Sequence, residues 1–384
     1  MKLAKLSLAA ITVVGLSASA FGADTLADAF KNGKVGGQIQ SFYLKTSKDG
    51  ANNDSGAYAL GGLLKFKTAS FKGFKAGFEF QTSHTLGVDV KDNGAAKDTS
   101  IDIQGSFLSE AYLEYSMNKT TLKVGRMHIA TPLVSDSGVR LIRDHFTGAT
   151  VVNTSLANTV LVGGAVTKWT NRDGTVFSAD EPIYTAYVST KFGPVGVTGQ
   201  YVYNNSFSSV ASDKTQDFYL EAKYAMDNFY GAAQYIGYKD DIYSSSLFGV
   251  KVGANFSGLG VMAAYNTTDD DGKVRGGWGA GNDPSYNSVQ KLSGNGAGVD
   301  SYQGKLSYDF SKVGAKGLSA FTRYIQYDDL QGAGLDGNEW DTDVTYKFGG
   351  SLKGLKARIR YATVSRDIAN TDFNDFRFIV KYDF

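Results

Sequence analysis

From residue 34 to the last residue, apolar and polar side chains exchange places at every second position, segment after segment. Ala111, Leu113 and Tyr115 alternate with Glu110, Tyr112 and Glu114. Phe218, Leu220, Ala222 and Tyr224 alternate with Tyr219, Glu221 and Lys223. Trp340, Thr342, Val344, Tyr346 and Phe348 do the same with Asp341, Asp343 and Lys347. Period two puts neighbouring side chains on opposite faces of an extended chain, so each segment is a strand with one apolar and one polar face. Helix-period stripes are scarce, and only Thr25 to Phe30 suggests a turn of helix. Eighteen strands are expected. The first nine lie near 34–46, 57–71, 74–87, 106–117, 120–127, 145–156, 159–170, 182–192 and 195–206. The rest lie near 215–226, 229–238, 245–256, 259–268, 300–311, 317–328, 339–348, 354–366 and 373–384.

The connectors are of two kinds that take turns along the chain. Eight are short: Lys72-Gly73, Asn118-Lys119, Ala157-Asn158, Gly193-Pro194, Asp227-Asn228, Ser257-Gly258, 312–316 and 349–353. Several carry Gly, Asn or Asp, the residues that accept positive φ in a hairpin. The other nine are mostly longer and more polar, among them 47–56, 88–105, 128–144, 171–180 and the Gly-rich 269–299. An even-stranded barrel with both chain ends at one rim needs one fewer turn there than loops at the other, and eight against nine fits. Short turns at one rim and long loops at the other mark outer-membrane barrels, and a soluble sandwich has no reason to produce them.

Composition agrees. In 384 residues there are 46 Gly, 23 Tyr and 24 Phe, but only 4 Pro and no Cys. Such a balance suits alternating strands and tight turns, and the lack of Cys excludes disulfides and thiolate chemistry. The mean hydropathy of −0.21 is polar, as a barrel with a wet lumen should be. A net charge of +1 gives no support for a nucleic-acid partner. At the start, Lys2 and Lys5 precede an apolar stretch from Leu6 to Leu16, followed by small residues. That pattern is a secretory signal peptide, residues 1–22, cut after Gly22 to leave 23–384 as the mature chain. Beyond it no apolar run approaches the roughly 20 residues of a transmembrane helix.

The other end carries the sharpest local signal. Phe376, Phe378, Val380, Tyr382 and Phe384 occupy every second position up to the last residue. A closing strand would turn these to lipid and hold Arg377, Lys381 and Asp383 inward. A terminal aromatic strand of this form resembles the signal read by the machinery that inserts outer-membrane barrels, with Phe384 as its end. Taken with the signal peptide, it assigns the chain to the outer membrane of a Gram-negative bacterium, facing lipid and lipopolysaccharide. Flat apolar walls would also permit a homotrimer, which nothing in the sequence demands.

In hydrocarbon each unpaired backbone group costs several kcal/mol, so an open sheet edge is excluded. The expected fold is therefore all-β: a transmembrane, antiparallel, up-and-down barrel. About eight strands fill their interior with side chains, whereas about sixteen to eighteen leave an aqueous channel. A water-filled pore for ions and small polar solutes follows. On 354–363, Leu355, Ala357, Ile359 and Tyr361 form the apolar set. Lys356, Arg358 and Arg360 then form an inward column about 13 Å long. Asp341 and Asp343 face inward on the neighbouring strand, with Glu110, Glu114 and Glu221 on more distant ones. Charge ladders of this kind steer ions through pores. Segment 128–144 is unusually apolar for an external loop, with Ile129, Leu133, Val134, Val139, Leu141 and Ile142. It is expected to fold into the lumen, where Asp136, Arg140, Arg143 and Asp144 would narrow the channel.

Over most of its mature length the chain resembles the OprD-like outer-membrane porins, most densely in 109–150. SEAYLEYSMNKTTLKVGRM is similar to that family's strand–turn–strand, and TPLVSDSGVRLIRDHFTG follows in place of its inward constriction loop. Ser135-Asp136-Ser137 and Phe146-Thr147-Gly148 are the most family-like pieces, while Gly138-Val139 before Arg140 departs from the pattern. The resemblance implies eighteen strands and passage of small solutes, often carboxylates or basic amino acids, along a ladder of lumen Arg and Lys. It implies that Lys356, Arg358 and Arg360 belong to such a ladder.

Three other classes fit the sequence less well. An outer-membrane barrel enzyme would need a catalytic constellation. The three histidines, His84, His128 and His145, sit in no nucleophile motif and at no metal-ligand spacing, so no catalytic residue, cofactor or metal is expected. A soluble secreted adhesin or lectin would need a buried apolar face and would not repeat eighteen similar segments. A siderophore-type transporter is disfavoured because no plug domain of ordinary size precedes the first strand.

Overall fold

The computed structural model describes residues 22–49, 54–91, 101, 105–205, 214–279, 282–330, 335–369 and 371–384. The expected signal peptide lies outside them apart from Gly22. The first nine strands are β1 (Lys34–Lys48), β2 (Ser55–Lys67), β3 (Phe74–Lys91), β4 (Gly105–Met117), β5 (Thr120–Met127), β6 (His145–Asn153), β7 (Thr159–Thr170), β8 (Val176–Phe192) and β9 (Val195–Asn204). Then come β10 (Thr215–Met226), β11 (Phe229–Asp240), β12 (Ser244–Phe256), β13 (Leu259–Thr268), β14 (Asp300–Asp309), β15 (Leu318–Asp328), β16 (Gly337–Lys347), β17 (Leu355–Arg366) and β18 (Phe373–Asp383). Each strand pairs antiparallel with its sequence neighbours, and β1 pairs with β18, so one eighteen-stranded sheet closes on itself. The seam runs to the last residue: the Gly37 N–H donates to the Phe384 carbonyl at 2.9 Å, and the Phe384 N–H donates back at 3.0 Å. Closure leaves the barrel no open edge for lipid to meet.

The short turns have the backbone their residues favour. Lys72 and Gly73 take φ of 49° and 89°, and Ser257 and Gly258 take 47° and 95°. Two successive positive φ values match the twist of the flanking strands. Two boundaries differ from the sequence expectation. β2 stops at Lys67 rather than near 71, because the Thr68 hydroxyl accepts from the Ala76 N–H and the Ala69 N–H donates to Ala29. That second bond ties the turn to α1 (Leu26–Lys31), whose N-cap is Thr25. β8 starts at Val176 rather than near 182, and its Phe177 ring stacks on Trp169 at 4.8 Å.

Alternation sorts the faces. Leu113, Leu220, Trp340 and Phe378 are exposed on the outer wall, while Glu114, Glu221, Asp341 and Arg377 are buried on the inner one. A bulge on β4 inserts Ser109, whose hydroxyl donates to inward-facing Glu79 at 2.8 Å. The inner face is not uniformly polar. Phe42 and Leu44 of β1, Ala57 and Ala59 of β2 and Ile379 of β18 form an inward apolar patch. A second one, from β5 to β11, includes Met127, Phe146, Val166, Ile183, Val202 and Ile236. Each receives a loop.

Candidate functional site

Two loops enter the barrel and meet inside it. The loop between β5 and β6, residues 128–144, puts Leu133 and Val134 into the larger apolar patch beside Trp278 of the β13–β14 loop. The Trp278 N–H donates to the Leu133 carbonyl at 2.7 Å, and the Ser135 N–H donates to the Trp278 carbonyl at 2.9 Å. Backbones come this close because glycines flank the Trp: Gly277 and Gly279 have φ of 102° and 117°. A Cβ on either would run into Leu133 or Ser135. Asn282 adds a bond from its side-chain amide to the Pro132 carbonyl at 3.0 Å. Farther on, the first loop sets Leu141 into the β1–β2–β18 patch, and Arg140 lies 6.0 Å from the Phe42 ring.

One ionic cluster fixes the root of the 128–144 loop. His128 Nε2 lies 2.7 Å from Glu79 of β3, and its Nδ1 lies 2.9 Å from the Asp144 carbonyl and 3.2 Å from Asp136. Both ring nitrogens therefore face acceptors. Burial opposes charge on this imidazole, but the bonds to Asp136 and Glu79 prevail and push its pKa up to about 9. Arg143 also pairs with Asp136, and Lys65 lies 2.5 Å from Glu79. Asp144 is fully buried. It accepts from the Trp169 indole at 3.1 Å and lies 3.6 Å from Arg172, so it anchors the loop's return to the wall.

The β13–β14 loop is held by wall carboxylates. Trp278 donates to Asp217 at 3.0 Å and Tyr286 to Glu221 at 2.8 Å. Glu339 accepts from the Lys291 and Leu292 N–H groups, and the Lys291 ammonium reaches Asp375 at 2.9 Å. Sequence reasoning placed 269–299 only as a long Gly-rich connector and missed this role. Its one Trp, between two glycines, was the available signal.

Beneath the loops, toward the short-turn rim, the lumen holds two cavities. A cavity of about 700 Å³ is lined by Thr131, Ser135, Tyr219, Glu221, Lys223, Lys251 and Lys305. Another of about 290 Å³ is lined by Lys65, Lys67, Glu110, Tyr112, Glu114, Lys123 and Arg143, and Ala130 and Thr131 border both. On the β2–β5 side, inward Lys65, Lys67, Lys75 and Lys123 exceed Glu79, Glu110 and Glu114 by one, and three of the four lysines are ion-paired. Glu114 lies 2.9 Å from Lys67 and 3.6 Å from Lys75, while Glu110 accepts from the His128 N–H at 3.3 Å. On the β14–β18 side, cations exceed acids. Register sets Arg360 opposite Asp343 and Arg377, and Lys356 opposite Lys347 and Lys381. Asp341 holds Arg323 at 2.5 Å, and Asp343 holds both Arg358 at 2.6 Å and Arg360 at 3.1 Å. Among the described residues Lys356 makes no ion pair.

The family model described as outer membrane porin, OprD family, matches residues 109–283 and 200–384. Porin D of Pseudomonas aeruginosa is 26% identical over 312 residues, which cover 69% of this chain and 70% of that protein. The porin-like protein GalP of Pseudomonas putida is 25% identical over 293 residues, covering 69% and 68%. Among solved structures, a BenF-like porin from Pseudomonas fluorescens superposes with a TM-score of 0.81 at 16% identity, covering 93% of this chain and 99% of that one. OccK3 (OpdO) of Pseudomonas aeruginosa gives 0.79 at 21%, covering 94% and 97%. These two carry the fold.

Proposed function

Because the chain belongs to the OprD family of outer membrane porins, we propose that it passes small organic anions, carboxylates foremost, along the inner wall of β14–β18. The observation that carries this is the surplus of positive charge there: Lys305, Arg323, Lys356, Arg358, Arg360 and Arg377 outnumber Glu339, Asp341, Asp343 and Asp375 on inward rows of one register. A carboxylate can move from one guanidinium to the next without losing its partners, which keeps each stop shallow enough to leave. An amino acid would additionally find Asp341 and Asp343 for its ammonium. The 128–144 and 269–299 loops narrow the path, with Asp136, Arg140 and Arg143 on the first of them.

The relatives are porins rather than enzymes, and the eighteen-stranded closed wall with this family match sets aside a soluble adhesin or lectin. The aromatic outer row that ends at Phe384 supports delivery by the barrel insertion machinery.

In planar bilayers under a salt gradient, the protein is expected to favour anions. Replacing Lys356, Arg358 and Arg360 together with Gln should move the reversal potential toward the cation side, and an unmoved potential would remove the ladder. Deleting 133–142 should raise single-channel conductance. Unchanged conductance would put that loop outside the solute path.

A further inference from the structure

The outer wall of β5–β8 carries a feature that solute passage does not use. Register opposes Arg126 on β5 to Thr147 on β6, Thr147 to Lys168 on β7, and Lys168 to Ser178 on β8. Directly opposed residues share a face. Arg126 follows Leu122 and Val124, both exposed on the lipid side, so this row looks outward. It lies near the long-loop ends of β5 and β7, the extracellular rim. One Arg126 nitrogen donates to the Leu108 carbonyl at 2.7 Å. Among the described residues neither Arg126 nor Lys168 makes an ion pair.

Immediately toward the short-turn rim, the same strands form a shallow outer groove of about 450 Å³, lined by Leu122, Val151, Gly163, Ala165, Tyr184 and Ala186. Along β5 it begins about 7 Å below Arg126 and extends to about 13 Å below it. A pair of cations sits above an apolar slot. We propose that this is a binding site for lipopolysaccharide, with Arg126 and Lys168 holding a lipid A phosphate and one acyl chain lying in the groove. Thr147 and Ser178 supply hydroxyls in the same row.

A second outer groove shows why charge decides the occupant. It measures about 640 Å³ and includes Val252, Val261, Ala263, Leu306, Tyr324 and Trp340. Outward above it stand Asp300 and Asp328, opposed in register, where the first groove has its cations. Those carboxylates repel a phosphate. They also lie on β14 and β15, seven strands on from β7 in an eighteen-stranded wall. That is too far round to meet Arg126 and Lys168 of a second copy in a closed trimer.

The test is native mass spectrometry of the folded protein in detergent, with lipid A, dephosphorylated lipid A or phosphatidylglycerol added. Wild type should retain lipid A at least tenfold better than the Arg126→Ala/Lys168→Ala double variant. Ala165→Trp, which fills the groove but keeps both cations, should lose it as well, while Asp300→Ala should not. Heat-modifiable mobility on gels and unchanged channel conductance would certify that each variant is folded. Equal retention by wild type and double variant would overturn the site. So would binding of phosphatidylglycerol or dephosphorylated lipid A as strong as that of lipid A, or a change in subunit number with no change in lipid.

Discussion

The two loops that enter the barrel are secured by different balances of apolar and polar contact. The 128–144 loop brings its own apolar side chains to apolar patches on the wall, and a single ionic cluster around His128 holds its root. The 269–299 loop also buries Val274, Trp278, Leu292 and Val299, but it adds a row of polar and backbone donors for which the wall supplies acceptors: Asp217, Glu221, Glu339 and Asp375. A buried loop can thus be placed by what it carries or by what receives it. They join through Trp278, so the contrast can be probed from the junction outward.

The largest effect is expected from Trp278→Ala. It removes a fully buried ring that serves both loops, at a cost of about 3–5 kcal/mol. Amide hydrogen exchange should accelerate in both loops together. Acceleration in 269–299 alone would show that the 128–144 loop stands without its neighbour.

His128→Gln should come next and should loosen only the 128–144 loop. Raising the imidazole from 6.5 to about 9 corresponds to roughly 3 kcal/mol of preference for the docked state. Because the docked pKa is the higher one, this contribution is complete below about pH 6.5 and is lost as pH rises through about 9. Current noise in wild-type channels should therefore increase over that interval, and the variant should be noisy throughout. A wild-type trace that stays flat up to pH 10 would remove His128 from the role.

The smallest effect is expected from Tyr286→Phe, which deletes one hydrogen bond to Glu221 for about 1.5 kcal/mol. Glu221 keeps Lys223 at 2.6 Å, which limits the loss. Exchange should quicken near 286 and leave 128–144 untouched.

How much could be read in advance follows the same contrast. Period two and the alternation of turns and loops specified the number of strands, because a one-residue slip would invert every face. The 128–144 loop was legible because Leu133, Val134 and Leu141 are conspicuous in an external connector. The 269–299 loop was not, since Glu339 and Asp217 look like any other inward charge until Leu292 and Trp278 lie against them. Pattern alone also misjudges β1, whose inward Phe42 and Leu44 are apolar because they receive Leu141. Likewise, the small cation excess of β2–β5 and the larger one of β14–β18 use the same residue types. Only the register tells them apart.

The meeting of Trp278 with Leu133 and Ser135 also has a mechanical consequence. A cylinder whose wall is one chain thick is stiff along its hydrogen bonds but flattens easily into an oval when squeezed from the side. Here a tie beam crosses the interior, rooted at Glu79 and at Gln81, whose side-chain oxygen accepts from the Arg143 N–H at 2.9 Å, at one end and at Glu339 and Asp375 at the other. Lateral pressure from the surrounding bilayer must break that beam before it can pinch the bore.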